Sequence, residues 1–144
     1  MYLGCWPEGG LKHLPIESST AATATAGASL AVIDVTCELQ RTHKGLEYLC
    51  LPTWDTRGPD TGALAKGVKW AVGTMEGGND LYVHCAHGHG RSAAFVAALI
   101  VYLGMVPDVQ SAVAHLKRRR PRVKMNAEQT QAAEQCLLLL RAGR

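Results

Sequence analysis

The sequence predicts an α/β fold in which a central, mainly parallel sheet of four to five strands is flanked by helices. Three observations predict it: short β-branched apolar runs, helical segments that alternate with them, and a length of 144 residues that suits one domain. Hydrophobic residues make up 47% of the chain and charged residues 19%, which excludes an intrinsically disordered protein. We therefore expect residues 1–144 to form a single domain, either complete or part of a longer protein.

Three apolar runs predict buried strands. Residues 30–36 form a β-branched run that is typical of a strand covered on both faces. Residues 48–52 predict a second strand, which Pro52 ends because proline cannot donate a ladder hydrogen bond. Residues 81–84 predict a third strand, and this strand leads directly into a loop rich in glycine and histidine.

Four segments predict helices. In residues 63–75 the apolar positions recur at helical spacing, and a pair of glycines follows. Residues 92–103 are apolar nearly all round, which predicts a buried helix. Asp108 is a candidate N-cap for a third helix, and residues 127–140 predict the last one.

The net charge of +3 comes from one segment of the chain. Six of the fifteen cationic residues lie in residues 117–124, so the rest of the chain carries 9 minus 12, or −3. This distribution argues against a generally cationic surface, and no obligatory nucleic-acid partner is expected. We expect the segment to be a helix C-terminus with solvated charges, and a phosphoinositide-binding or nucleic-acid-binding patch is the alternative.

We expect neither a membrane-spanning segment nor a secretory signal in the chain. Its longest uncharged apolar run, residues 93–106, has fourteen residues and is too short to cross a bilayer. The cysteines at positions 5, 37, 50, 85 and 136 are odd in number and have no Cys-x-x-Cys spacing, which predicts reduced thiols. We expect a monomer in the cytoplasm, or a cytosol-facing domain of a longer protein.

The segment after the third predicted strand carries the chemistry. Cys85 ends that strand, five residues separate it from Arg91, and a helix then begins. Gly88 and Gly90 allow the backbone to turn tightly with its N–H groups inward, and the helix N-terminus adds further N–H groups. We call residues 85–91 the cysteine loop. Such a loop attracts a tetrahedral anion, and the guanidinium of Arg91 can contact two of its oxygens.

The same field favours the thiolate of Cys85, because converging N–H dipoles and a guanidinium stabilise a negative sulfur. Only the thiolate is a good nucleophile. A thiolate beneath a bound phosphate is placed for in-line attack on phosphorus. The loop therefore combines an anion site and a nucleophile.

Three histidines, at positions 84, 87 and 89, surround this cysteine and suggest a metal cluster at first sight. Alternate residues on a tight loop diverge, however, and the sequence shows no second ligand pair at a familiar spacing. We therefore predict neither a metal ion nor an organic cofactor.

These residues form a motif that resembles the signature of the cysteine-based protein tyrosine phosphatase superfamily. Gly90 and the short chain make it most similar to the atypical dual-specificity branch. The resemblance implies that Cys85 forms a phosphocysteine intermediate and that Arg91 binds phosphate and stabilises the transition state. It also implies that Ser92 donates a hydrogen bond to the sulfur and assists its departure. The motif here reads His84-Cys85-x-x-Gly88-x-x-Arg91-Ser92.

The resemblance also assigns supporting residues. His84 is expected to order the backbone of the loop, and Asn126 lies in a segment similar to the one that packs near the loop in the family. His87 and His89 occupy variable positions and are expected to line the rim of the pocket. The residues expected to form the phosphate-binding loop are Ala86, His87, Gly88, His89, Gly90 and Arg91.

A general acid is needed as well, because an alkoxide or phenoxide leaves poorly without a proton. Members of the family carry an aspartate on a loop roughly thirty residues before the cysteine, and Asp55 lies thirty positions before Cys85. Asp60, at twenty-five positions, is the alternative. Asp34 lies within a predicted strand, which indicates a structural role.

The resemblance implies a phosphomonoester hydrolase that acts on phosphotyrosine, phosphoserine and phosphothreonine of proteins. A phospholipid or phosphoinositide phosphatase and an RNA 5′-triphosphatase are alternatives on the same fold. A phosphate-recognition module without turnover is an alternative of another class. A reversible disulfide between Cys37 and Cys85 is also conceivable, although a reduced Cys37 is the simpler expectation.

Overall fold

Four parallel strands form the central sheet of the computed structural model, which describes residues 2–4, 29–39 and 46–143. The strands are β1 (Tyr2–Gly4), β2 (Leu30–Asp34), β3 (Glu47–Cys50) and β4 (Asp80–His84). They lie in the order β1-β4-β2-β3, so the chain crosses over between neighbours as it does in α/β proteins. The predicted parallel sheet is confirmed.

The two central strands are buried on both faces, as their apolar runs predict. Ile33 pairs in register with Val83, and both side chains belong to the core shared with the helices. Val32 and Tyr82 point to the opposite face and are buried as well, because successive side chains of a strand alternate between faces.

The described residues contain four helices, and each corresponds to a predicted segment: α1 (Thr61–Glu76), α2 (Arg91–Tyr102), α3 (Val109–Arg119) and α4 (Ala127–Ala142). The helices α1 and α2 contact the sheet, and α3 and α4 pack against α2. The helix α2 is central, since it contacts each of the other described helices and two strands, and its residues from Arg91 to Val101 are all buried. The Asp108 side chain accepts a hydrogen bond from Ser111 N at 2.7 Å, which confirms the predicted cap of α3.

The topology brings three loops to one edge of the sheet. Because β2, β3 and β4 are parallel, the loops that follow them all leave from the carboxyl edge. Two backbone hydrogen bonds continue the pairing past the strand ends: Val35 N to His84 O at 2.9 Å and Leu51 N to Asp34 O at 2.8 Å. These bonds fix the starting points of the three loops relative to one another.

Asp34 has the structural role that its position in a strand indicates. It is buried and accepts hydrogen bonds from the backbone N–H and the hydroxyl of Thr36 and from the hydroxyl of Tyr48. Burial and the neighbouring carboxylate raise the pKa of Tyr48. Asp34 thereby ties the end of β2 to β3 beneath the loops.

The cysteines within the described residues are all free thiols, including Cys37 and Cys85, and Cys5 lies outside the described residues. No helix in the described part of the chain is long and apolar enough to cross a membrane.

Substitution of Phe95 tests how far stability depends on α2. Phe95 is fully buried in the core, so we expect Phe95→Ala to lower the free energy of unfolding by about 3–5 kcal/mol. Leu138 is 63% exposed on α4, and we expect Leu138→Ala to change it by at most about 0.5 kcal/mol. Urea unfolding followed by circular dichroism measures both. Equal losses in the two variants would contradict the central position of α2.

Candidate active site

A pocket of about 240 Å³ lies where the loops from the carboxyl edge of the sheet meet the segment before α4. It brings together the cysteine loop, the loop after β3 and the residues around the start of α4. The pocket is lined by Asp55, Thr56, Cys85, His87, His89, Gly90, Arg91, Lys124, Asn126 and Gln129. The sequence-predicted nucleophile, arginine and preferred aspartate therefore share one cavity.

The thiol of Cys85 lies between hydrogen-bond donors at the base of this pocket. It is 3% exposed, and its Sγ accepts a hydrogen bond from Gly88 N at 3.2 Å and lies 3.2 Å from Ser92 Oγ. Gly88 has a φ of +73°, which a residue with a side chain rarely adopts and which aims its N–H at the sulfur.

Burial by itself raises the pKa of Cys85. The Ser92 hydroxyl, the backbone N–H groups of Ser92 and Gly88, and the positive charge of Arg91 outweigh this effect, so the pKa lies below its usual value. The pocket therefore favours the thiolate form of this cysteine.

Arg91 begins α2, is 2% exposed, and is held by a carboxylate that the sequence analysis did not identify. Its Nη1 and Nη2 donate to the two carboxylate oxygens of Glu38 at 2.9 and 2.8 Å, and Nη1 also donates to the Thr53 carbonyl at 2.8 Å. The two Nη groups of Arg91, which the sequence predicts to bind phosphate, therefore bind Glu38 in this structure. Among the described residues, the Nε–H makes no hydrogen bond, and Nη2 also lies 3.5 Å from Asp55 Oδ1. The Nε–H and the second Nη2 hydrogen form the edge of the guanidinium that can contact an anion.

This ion pair is strong because the arginine is buried. Hydrogen bonds from Arg91 lower the pKa of Glu38 to about 2 despite partial burial. Burial lowers the pKa of Arg91, but its bonds to Glu38 and the nearby charges of Cys85, Glu38 and Asp55 raise it overall. A buried guanidinium without a partner would be strongly destabilising, so Glu38 stabilises the cation before any ligand binds.

A topological signal for Glu38 was present in the sequence. Glu38 follows the buried run of β2 just as Cys85 follows β4, and carboxyl ends of parallel strands meet at one edge. The sequence does not show that β2 and β4 are direct neighbours, so it does not predict that Glu38 contacts Arg91. The contact with Thr53 has no signal in the sequence, because it uses a backbone carbonyl, which every residue has.

The two candidate acids have different surroundings. Asp55 lies in the loop of residues 51–60, which we call the acid loop; its Oδ1 is 3.5 Å from Arg91 Nη2, and its side chain is 71% exposed. Asp60 is the N-cap of α1 and accepts a hydrogen bond from Ala63 N at 2.8 Å. Asp55 lines the pocket and Asp60 does not, so the geometry favours Asp55 as the group that meets a substrate.

The start of α4 holds the acid loop. Asn126 and Gln129 form a capping box there, with bonds of 3.0 and 2.9 Å between the side chain of each residue and the backbone N–H of the other. The same two side chains donate to the acid loop, Asn126 to the Thr56 carbonyl at 2.6 Å and Gln129 to the Arg57 carbonyl at 3.3 Å. Asn126, which was expected to support the cysteine loop, lines the pocket and makes its bonds to the acid loop.

Gly90 is the point where the cysteine loop meets α4. A Cβ atom at this position would lie 2.7 Å from Gln129 Oε1 and 2.8 Å from its Nε2. The residue at position 90 therefore cannot carry a side chain unless Gln129 moves.

His84 lies beneath the loop. It is buried, its ring stacks on Tyr82 at 5.6 Å, and its Nδ1 lies 3.3 Å from the Cys85 carbonyl oxygen. Burial lowers the pKa of His84, although the Asp34 carboxylate opposes this effect. A neutral ring at this position packs against the strand and contacts the backbone where the loop begins.

His87 and His89 line the pocket, and their ring centroids are 6.0 Å apart. Their backbone carbonyls accept hydrogen bonds from the cationic residues 117–124, which we call the basic segment: His87 O from Arg120 Nη2 at 3.1 Å and His89 O from Lys124 N at 2.9 Å. Three residues of that segment belong to the last turn of α3, as predicted, whereas the part after the helix contacts the cysteine loop.

Within the described residues, no three His, Cys, Asp or Glu side chains are grouped to hold a metal ion.

Removal of the Ser92 hydroxyl tests the thiolate environment. We expect Ser92→Ala to raise the pKa of Cys85, so alkylation by iodoacetamide at about pH 6 slows while the rates converge at high pH. Mass spectrometry of the Cys85 peptide across a pH series measures the inflection. Cys37, whose pKa is raised by burial and by Glu38, is the internal control, because Ser92→Ala leaves its surroundings intact. An unchanged Cys85 inflection would contradict the role of the hydroxyl.

Comparison with known proteins agrees with this geometry. The family model described as "Dual specificity phosphatase, catalytic domain" matches residues 17–135. The human "Phosphatidylglycerophosphatase and protein-tyrosine phosphatase 1" is 43% identical over 58 residues, which are 40% of this chain and 29% of that protein. The mouse protein of that name is also 43% identical over 58 residues, 40% of this chain and 30% of its own length. The chain thus spans less than a third of these curated relatives.

Two solved structures extend the comparison to nearly the whole fold. A structure of PTPMT1 in complex with PI(5)P has a TM-score of 0.77 at 25% identity and covers 98% of this chain and 92% of its own. Human DUSP28 has a TM-score of 0.78 at 19% identity and covers 99% and 94%, a likeness that shows the fold alone. With the family model matching most of the sequence, the chain belongs to the dual specificity phosphatase catalytic domain family, within the cysteine-based protein tyrosine phosphatase superfamily.

Proposed function

We propose that this protein is a cysteine-dependent phosphomonoester hydrolase that works through a phosphocysteine intermediate. One observation carries the proposal: Cys85 and Arg91 line one pocket, and the Cys85 sulfur lies 3.2 Å from both Gly88 N and Ser92 Oγ. Family membership agrees with it. A thiolate, anion donors and a carboxylic acid in one cavity are the groups that transfer of a phosphoryl group requires.

In the first step the Cys85 thiolate attacks phosphorus, and a P–S bond forms as the P–O bond to the leaving group breaks. Arg91 Nε–H, one Nη2–H and the N–H groups of the cysteine loop meet the charge on the equatorial oxygens. Protonated Asp55 gives its proton to the leaving oxygen, since its carboxyl group lies at the mouth beside Arg91.

In the second step water attacks the phosphocysteine, and the sulfur leaves as a thiolate. Asp55, now a carboxylate, accepts the proton of the attacking water. The Ser92 hydroxyl donates to the departing sulfur, which it approaches at 3.2 Å, and so lowers the cost of thiolate departure. Glu38 acts as a positioning residue in both steps, because its contact with Arg91 fixes which edge of the guanidinium faces the substrate.

The first substrate candidate is phosphotyrosine, phosphoserine and phosphothreonine of proteins. None of the described residues that line the pocket is Phe, Tyr or Trp, so no aromatic slot selects phosphotyrosine there. The same pocket admits short phosphorylated side chains as well as an aryl phosphate, which is the behaviour of a dual-specificity enzyme.

A phospholipid monoester is the second candidate, and the cationic surroundings of the pocket mouth favour it. Lys124 and two histidines line the pocket, and the Trp54 side chain beside Asp55 is 69% exposed, which suits an apolar and charged interface. The name of the human relative includes phosphatidylglycerophosphatase, and the PTPMT1 structure contains PI(5)P.

We further propose that the chain acts as one catalytic domain on the cytosolic side. The described helices share one buried core with β2 and β4, side chains of β1 and β3 pack against this core, and the described cysteines are free thiols.

Loss of the nucleophile tests the mechanism. We expect Cys85→Ser to reduce hydrolysis of an aryl phosphate by at least about 10³-fold, because a hydroxyl at this position is not ionised. Cys50→Ser, which alters an exposed thiol outside the pocket, is the matched control and is expected to retain activity. Acid quench and intact-mass analysis should show one phosphoryl group on wild-type protein. Turnover that persists in Cys85→Ser contradicts the mechanism.

Replacement of each candidate aspartate assigns the general acid. We expect Asp55→Asn to slow an alkyl phosphate by about 10²–10⁴-fold and p-nitrophenyl phosphate much less, because nitrophenolate leaves without a proton. Asp60→Asn removes the same charge but leaves an N-cap residue, so its rates should stay near wild type. Steady-state kcat/KM for both esters in both variants decides the assignment. The opposite pattern would move the acid to Asp60.

A substrate panel separates the classes of function. The panel consists of an aryl phosphate, paired phosphopeptides, a phosphoinositide and triphosphate-ended RNA. The compound with the highest kcat/KM identifies the class of substrate on which the enzyme acts. Wild-type protein that binds phosphopeptide and hydrolyses none of the panel would identify a recognition module.

A further inference from the structure

The acid loop contains a residue whose backbone conformation its own side chain disfavours. Thr56 has a φ of +64° and is the only residue other than glycine with a positive φ in the described part of the chain. A left-handed backbone brings Cβ close to the following carbonyl oxygen, and branching at Cβ makes the conformation rarer still. Such outliers persist only where neighbouring contacts enforce them, and they cluster at functional sites. Thr56 lines the pocket.

This conformation belongs to a tight turn of residues 54–57. Arg57 N donates to Trp54 O at 3.1 Å, and φ is positive at Thr56 but not at Asp55, which is the pattern of a type II turn. Glycine or asparagine usually occupies the position of Thr56 in such a turn, whereas a type I turn would accept threonine without strain. The two types differ by a rotation of the middle peptide through about 150° to 170°. The strain at Thr56 therefore maintains one orientation of the peptide that joins it to Asp55.

In this orientation the middle peptide holds one oxygen of the Asp55 carboxyl group. Thr56 N donates a hydrogen bond to Asp55 Oδ1 at 3.0 Å, and the same oxygen lies 3.5 Å from Arg91 Nη2. No residue in the described part of the chain donates to Oδ2. An oxygen that faces N–H donors acts as an acceptor, so the proton of the neutral carboxyl group belongs on the other oxygen. The turn thus leaves Oδ2 free to hold and transfer the proton.

The start of α4 anchors the other side of the turn. Asn126 Nδ2 donates to Thr56 O at 2.6 Å, and Gln129 Nε2 donates to Arg57 O at 3.3 Å. The Arg57 side chain also pairs with Glu128, with 3.0 Å between Nε and Oε1. These contacts fix the two peptides that follow Thr56. With those peptides fixed, the value of φ at Thr56 decides where the N–H of the middle peptide points.

We propose that Thr56 is a positioning residue for the general acid, because its left-handed backbone aims the N–H of the middle peptide at Asp55 Oδ1 and leaves Oδ2 to give and take the proton. The inference rests on the proposed function, in which Asp55 is the acid. In the first step the O–H bond at Oδ2 breaks as the proton passes to the leaving oxygen, and in the second step Oδ2 accepts a proton from the attacking water. Oδ1 keeps its donors in both steps, so the carboxyl group keeps one orientation throughout.

Two substitutions at position 56 test the role of the backbone. Thr56→Pro sets φ near −65° and removes the N–H, so the type II turn and its bond to Asp55 are lost. We expect it to lower kcat/KM for an alkyl phosphate by at least about 10²-fold and for p-nitrophenyl phosphate by less than about threefold, because nitrophenolate leaves without a proton. Thr56→Gly keeps the N–H and adopts a positive φ freely, so its alkyl phosphate activity should stay within about threefold of wild type. The ratio of the two kcat/KM values is the readout.

A matched control and a second variant guard against general damage by proline. Gly104 also has a left-handed φ, +73°, and its N–H donates to Val101 O at 3.0 Å beyond the far end of α2. Gly104→Pro removes the same backbone features outside the pocket, so it should leave the ratio unchanged. Asn126→Asp keeps a capping oxygen for α4 but removes the donor to Thr56 O. We expect it to lower the alkyl phosphate rate selectively by about tenfold, the effect of one hydrogen bond.

A double variant links Thr56 to the acid. Asp55→Asn/Thr56→Pro should hydrolyse the alkyl phosphate no more slowly than Asp55→Asn alone, because Thr56 acts through that carboxyl group. Additive losses would overturn the inference.

The remaining outcomes separate this inference from the proposed function. Wild-type protein that does not hydrolyse the aryl phosphate would overturn the proposed function, and wild-type rates in Asp55→Asn would overturn the assignment of the acid. Where both of these hold, an unchanged ratio in Thr56→Pro and Asn126→Asp would overturn the role of Thr56 alone. Equal losses in Thr56→Gly and Thr56→Pro would show that the side chain acts rather than the backbone, and would overturn it as well.

Discussion

The ion pair between Arg91 and Glu38 is the interaction on which the pocket depends. It joins the first residue of α2 to the loop after β2, and its two bonds of 2.8 and 2.9 Å bury a positive charge directly beside the nucleophile. Glu38 compensates the buried charge in the fold, while the Nε–H edge of the guanidinium, near Asp55, can still contact an anion. The same cation favours the Cys85 thiolate, so one buried pair sets both the anion site and the reactivity of the sulfur.

Much of the fold was predictable because its signals are local. The β-branched runs, the spacing of apolar residues and the Asp108 cap each specify an element through neighbours within a few residues. The cysteine loop was predictable for the same reason, since strand, glycines, arginine and helix follow one another in the chain.

The remaining parts of the site depend on contacts between distant residues. Glu38 reaches Arg91 across 53 positions, and Asn126 reaches the Thr56 carbonyl across 70. Such pairs follow from strand order and helix packing, which a single sequence does not encode locally. The basic segment contains both kinds of feature. Its helical part follows from local sequence, whereas its contact with the cysteine loop follows only from the folded structure.

The hydrogen bonds between α4 and the acid loop determine which part of the site the protein loses first. Cys85 and Arg91 are attached to the sheet and to the buried helix α2, whereas the loop that carries Asp55 is held by hydrogen bonds from Asn126 and Gln129 in the first turn of α4. Helix ends open at lower free energy than a buried core. Opening of this one turn therefore loosens the acid loop, while Cys85 and Arg91 keep their attachments. Under mild destabilisation we expect the protein to lose proton transfer to the leaving group before it loses the phosphate site.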